Sequence, residues 1–93
     1  MPIVQPPFTD AQWQSIARGL VLSKRQLDIL KSLFQGDSEK EISGRLSISQ
    51  NTVHTHLKRL HSRLGVHSRA ELMIAIMVAL RNEDDTPLGS RRP

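Results

Sequence analysis

No cysteine occurs among the 93 residues, so disulfides and thiolate metal sites are excluded at the outset. Aromatic residues are scarce, and Phe8, Trp13 and Phe34 are the full set. The core must therefore come mainly from Leu, Ile and Val, which suits a compact helical bundle. Long apolar runs are also missing. The longest covers residues 72–80, far short of the roughly 20 residues needed to cross a bilayer. The opening MPIVQPPFTD has neither the basic start nor the apolar run of a signal peptide. The expectation is a soluble cytoplasmic protein with no membrane partner.

One absence is local. Residues 42–70 contain no Asp or Glu, while Arg45, Lys58, Arg59, Arg63 and Arg69 lie within them. The net charge of +4 is thus unevenly spread, with acids held at Asp37, Glu39, Glu41 and again at Glu83, Asp84 and Asp85. A segregated positive field attracts polyanions. Charge alone leaves nucleic acid and an ordinary solvated face both open.

What is present is a repeated helix-start signal. Thr9 with Gln12, Ser23 with Gln26, Ser38 with Glu41 and Ser68 with Glu71 all have capping-box spacing, each ahead of an apolar pattern. Gly19 and Gly36 are read as the stops of the first two helices. Ser49 opens a further helix in which Val53, Leu57, Leu60 and Leu64 step by helical spacing, and Gly65 closes it. No stretch alternates as a strand does. The fold class expected is all-α: a small bundle with a four-helix core, a helix-turn-helix, and a short N-terminal helix. Residues 1–20 read as a proline-rich leader or linker with that short helix, 21–81 as the domain, and 82–93 as a flexible polar tail.

The helix from Ser49 has a polar outer face. With Val53 set toward the core, Leu57, Leu60 and Leu64 fall within about 40° of it at 100° per residue. Asn51, Thr55, Lys58 and Ser62 then point away, flanked by His54 and Arg59. Amide, hydroxyl, imidazole and cationic groups without a carboxylate suit base edges. Hydroxyls and N–H groups at a helix start, here Ser49 and Thr52, suit phosphates.

The histidines argue against metal or catalysis. His54 and His61 are seven apart, too far to share an ion without a further ligand, and His54 and His56 point about 200° apart. No nucleophile is set beside a base and an orienting third group, so no enzyme, cofactor or metal site is expected. The histidines read as polar contacts.

Residues 22–72, LSKRQLDILKSLFQGDSEKEISGRLSISQNTVHTHLKRLHSRLGVHSRAEL, resemble the LuxR-type (GerE) helix-turn-helix domain of bacterial transcription regulators. The ordered pieces are LSKRQ followed by IL, the glycine before SEKEIS, then LSISQNTVHTHL and LGVHSRAEL. The resemblance implies a sequence-specific regulator of double-stranded DNA, nucleoid-associated, with RNA polymerase as a further partner. It implies base contacts from His54, Thr55 and Lys58, to which the wheel adds Asn51. It implies phosphate contacts around Thr52, His56 and Arg59, with Ser49 at the helix start. His56 rests on the resemblance alone. Two departures stand out: the family usually has lysine at the position of His54, and glutamate at that of Gln26. At His54 a cationic contact becomes conditional on protonation.

In AELMIAIMVAL, residues 70–80, only Glu71 is polar. A helix packed on one face needs only a stripe, so the expectation is a homodimer through Leu72, Met73, Ile76, Met77 and Leu80, on an inverted repeat, with a deeply buried terminal helix as the alternative. Two alternatives share the helical pattern. Region 4 of sigma factors lacks the LGVHSRAEL ending. An adaptor or anti-activator that binds another regulator would not need an acid-free outer face. The chain reads equally as a free-standing regulator or as the C-terminal part of a longer one.

Overall fold

The computed structural model describes residues 8–85, with side chains placed as far as Arg81. Five helices form within them: α1 (Asp10–Leu20), α2 (Lys24–Phe34), α3 (Glu39–Leu46), α4 (Gln50–Leu64) and α5 (Arg69–Asp85). No strand forms among the described residues, so the all-α expectation holds. The residues expected to form a polar tail are helical as far as Asp85. Residues 1–7 and 86–93 lie outside the described residues, and with them the rest of the leader and tail expectations.

Capping sets the helix starts. The reciprocal box is complete at Thr9–Gln12, Ser23–Gln26 and Ser38–Glu41. Ser49 caps α4 by accepting from the Thr52 N–H. At α5 the box is displaced by one residue: Ser68 Oγ accepts from the Glu71 N–H, while Glu71 Oε1 accepts from the His67 N–H at 2.8 Å.

The helix ends hold one correction. α1 runs through Gly19 and stops at Val21, which takes the left-handed conformation at φ 54° and ψ 57°. Its partners explain how. The Val21 and Leu22 N–H groups donate to Arg18 and Ala17 carbonyls, closing the terminus as a glycine would. Leu22 is half-buried against the core, which holds the turn in place. Ser47 ends α3 in the same conformation. At Gly65 the conformation falls where a side chain would be strained, with φ 71°.

A second correction concerns α1, which belongs to the bundle and is not an appended leader helix. Trp13 and Ile16 are fully buried in the common core. The three aromatic rings meet there, with Phe8, Trp13 and Phe34 centroids 5.0–5.4 Å apart. The Phe8–Trp13 and Trp13–Phe34 pairs are edge-to-face, an arrangement that adds to simple burial.

α1 packs directly on α5, and this corrects the expected dimer face. Leu72, Ile76 and Leu80 point inward at 0%, 0% and 7% exposure, and Met73 is half-buried against the same cluster. Of the five residues expected at a dimer contact, only Met77 is exposed. The physical reason is that leaving three such side chains in water would cost roughly 1.5–3 kcal/mol each, and the rest of the bundle is available to cover them. Ile74, Met77 and Val78 remain on the outer side, 43–58% exposed.

One polar node fixes α5 to the middle of the fold. Arg69 Nη2 donates to the carbonyls of Leu33 and Asp37 at 3.1 and 2.8 Å. The Asp37 carboxylate accepts from Ser32 and from Arg45 Nε, the latter at 2.9 Å. The α2–α3 turn, α3 and the start of α5 are thereby held in one arrangement.

Candidate nucleic-acid interface

α3 and α4 pack against each other across a three-residue turn, residues 47–49. Ser47 bends the chain and Ser49 starts the next helix. Ile42 from α3, with Val53, Leu57 and Leu60 from α4, are buried at the joint. This is a helix-turn-helix, with α4 as the longer second helix that such motifs present outward.

The inward leucines and valine fix what α4 displays. Asn51, Thr52, His54, Lys58, Arg59 and Ser62 are exposed, and Thr55 and His56 are half-buried. Ser49 is exposed, but its hydroxyl is occupied with the Thr52 N–H at 3.0 Å and the Thr52 hydroxyl at 2.8 Å. The structure therefore gathers Asn51, His54, Thr55, Lys58 and Arg59 on one outward surface, with Ser49 and Thr52 at its N-terminal end. A shallow groove lined by Lys58, His61, Ser62 and His67 continues that surface toward the turn into α5. His61 and His67 were not among the expected contacts.

His56 is turned partly inward, and its Nδ1 is buried with no hydrogen-bond partner among the described residues. A proton at Nδ1 would be stranded there, which favours the tautomer with the ring N–H on Nε2. In that form Nε2 is a donor, as a phosphate contact requires.

His54 has a different neighbour. Its Nδ1 lies 3.3 Å from Glu39 Oε1 and 3.5 Å from Oε2. Glu39 stands in the first turn of α3, where a carboxylate is favoured by the helix N-terminus. The acid-free face of α4 is thus approached by one carboxylate from the preceding helix. No local signal in the sequence gives this contact, because the two residues are fifteen apart. Among the described residues no group of three or more histidines and carboxylates is placed to hold a metal ion.

Comparison with known proteins agrees with this geometry. The family described as "Bacterial regulatory proteins, luxR family" matches residues 20–76. The chain is 42% identical over 57 residues to the nitrate/nitrite response regulator protein NarP of Escherichia coli (strain K12), covering 61% of this chain and 26% of that protein. It is 43% identical over 53 residues to the Fimbriae Z protein of the same strain, covering 57% and 25%. It is 41% identical over 63 residues to the probable transcriptional regulatory protein SgaR of Hyphomicrobium methylovorum, covering 67% and 29%. The chain thus spans about a quarter of the length of the curated relatives it matches. No solved structure matches at a comparable level. The chain belongs to the luxR family of bacterial regulatory proteins.

Proposed function

We propose that this luxR-family chain is a DNA-binding module of a bacterial transcriptional regulator, with α4 lying in the major groove. The observation that carries the reading is the outward face of α4. It holds an amide, hydroxyls, imidazole and two cations, and its own residues include no carboxylate. Lys58 and Asn51 are suited to guanine and adenine edges, and the Thr55 methyl to thymine. Arg59, His56, Thr52 and Ser49 lie where they can take phosphates, which position the helix without reading sequence.

The module works as a homodimer, through a face narrower than the sequence implied. Ile74, Met77 and Val78 form an exposed apolar strip on α5, edged by Arg81. Two copies joined there would present two α4 helices to an inverted repeat. The role is binding and not catalysis; RNA polymerase is a further partner, and the nucleoid in the cytoplasm is the site of action. Among the described residues no helix is long and apolar enough to cross a membrane.

Selection from a random duplex library at near-physiological salt tests the reading. The expected result is two inverted half-sites spaced by about one helical turn, roughly 10 bp. Weak binding with steep salt dependence and no consensus would overturn it in favour of an adaptor that binds another regulator.

A further inference from the structure

His54 stands at a position the proposed function assigns to base reading, and its Nδ1 faces the Glu39 carboxylate at 3.3 Å. An ionised carboxylate only accepts hydrogen bonds, so the contact requires the proton on Nδ1. In the neutral ring the other nitrogen, Nε2, is then a bare acceptor. Among the described residues Nε2 has no hydrogen-bond partner, and the His54 side chain is 55% exposed. Its free nitrogen is open to a ligand.

The groups around the pair leave it intact. His61 and Arg69 line a small cavity with Glu39, but Arg69 Nη2 is engaged with two backbone carbonyls. On α4 itself, Lys58 follows His54 by one turn. His56 has the opposite arrangement, with its buried Nδ1 unpaired among the described residues. The two imidazoles therefore offer opposite polarity at Nε2, His54 as an acceptor and His56 as a donor.

Polarity decides which base edge is compatible. In the major groove guanine presents the acceptors N7 and O6, whereas adenine and cytosine present amino groups. A lysine, which only donates, selects guanine. A bare Nε2 is repelled by guanine's lone pairs and accepts from an amino group. We propose that Glu39 is a specificity-determining residue. By taking the Nδ1 proton of His54 it directs that side chain to the amino group of adenine or cytosine and away from guanine. This rests on the proposed function, since it assumes that α4 reads bases.

The test has two parts, both on the full 93-residue chain. Long-range proton–nitrogen NMR correlations without DNA, at about pH 8 where an ordinary imidazole is neutral, report the tautomer directly. The expected result is the Nδ1–H form for His54 in the unaltered chain and in Glu39→Gln, whose amide carbonyl can accept the same proton. In Glu39→Ala that preference should be lost, while His56 stays in the Nε2–H form and the spectrum stays folded. An Nε2–H form of His54 in the unaltered chain, or a tautomer indifferent to Glu39→Ala, would overturn the proposal.

The second part repeats the duplex selection with the same variants and His54→Ala. One half-site position should favour adenine or cytosine over guanine by roughly two- to tenfold, the worth of one hydrogen bond. That preference should survive in Glu39→Gln and vanish in Glu39→Ala and His54→Ala. A uniform gain in affinity with unchanged preference would show Glu39 acting only as a repelling charge, and would overturn the role. No consensus from the unaltered chain would overturn the DNA-reading function, and the specificity role with it, whatever tautomer the spectra show.

Discussion

Arg45 Nε donates to Asp37 Oδ2 across 2.9 Å, joining the last turn of α3 to the turn that leads into it. The same carboxylate oxygen accepts from the hydroxyl of Ser32, a residue only 2% exposed. The Asp37 main chain meanwhile holds Arg69. Through its carboxylate and its carbonyl, Asp37 ties three helices together at this node.

Asp37→Ala should therefore cost about 1–3 kcal/mol, because it leaves the buried Ser32 hydroxyl without its acceptor. The node also makes stability depend on pH. The Ser32 hydrogen bond, then the Arg45 hydrogen bond and the charges of Arg45 and Arg69, hold the Asp37 pKa below its ordinary 3.8, against a smaller opposing effect of burial. A lowered folded-state pKa means that the contribution is complete above the unfolded value. It is lost as pH falls through the folded value. Urea melts at pH 7 and at successively lower pH should show this acid loss in the unaltered chain and a shallower one in Asp37→Ala. Equal acid sensitivity in both would refute the assignment.

The place of α1 in the core gives a second expectation. Trp13 is 2% exposed and touches both other aromatic rings. Trp13→Ala should destabilise by about 3–5 kcal/mol, a large part of what so small a domain has. Circular dichroism melts measure it. A change under about 1 kcal/mol would mean that α1 is a dispensable appendage.

The two sides of α5 should respond oppositely to charge. Met77→Asp and Ile74→Asp lie on the exposed strip and should shift the chain toward monomer in sedimentation equilibrium, with little change in melting. Ile76→Asp puts an unpaired carboxylate at a position with 0% exposure, at a cost of several kcal/mol, and should unfold the domain. A monomeric unaltered chain at high concentration would remove the strip from any dimer model.

On DNA, Lys58→Ala and Arg59→Ala should separate reading from positioning. Loss of Lys58 should cost roughly 1–3 kcal/mol on the preferred site and relax specificity at one base position. Arg59→Ala should weaken binding to all sequences alike and reduce the salt slope by about one unit. Binding isotherms at several salt concentrations distinguish the two. The reverse pattern would exchange their roles.

Much of this was legible without coordinates, for a physical reason visible residue by residue. Ser23, Ser38 and Ser49 announce helix starts because a cap acts on backbone groups two or three residues away. Val53, Leu57, Leu60 and Leu64 identify the buried side of α4, and so the exposed one, because one stripe of a polar helix is apolar. α5 defeats the same method. When nearly every residue of 70–80 is apolar, periodicity names no inner face, and only the packing of the bundle turns Leu72, Ile76 and Leu80 into the common core. Gly19 misleads for a related reason: the stop falls at Val21, whose left-handed backbone is held by a half-buried neighbour, Leu22.

The sequence by itself determined the helices, their starts, the helix-turn-helix and the polar surface of α4, since each depends on interactions within a turn or two of chain. Tertiary structure alone decided which side of α5 is core, that α1 completes the bundle, and that Arg69 reaches Leu33 and Asp37. It also decided that Glu39 meets His54. Those contacts join residues between fifteen and several tens of positions apart. They exist only because hydrophobic burial brings whole helices together, and no local rule of capping or spacing carries that information.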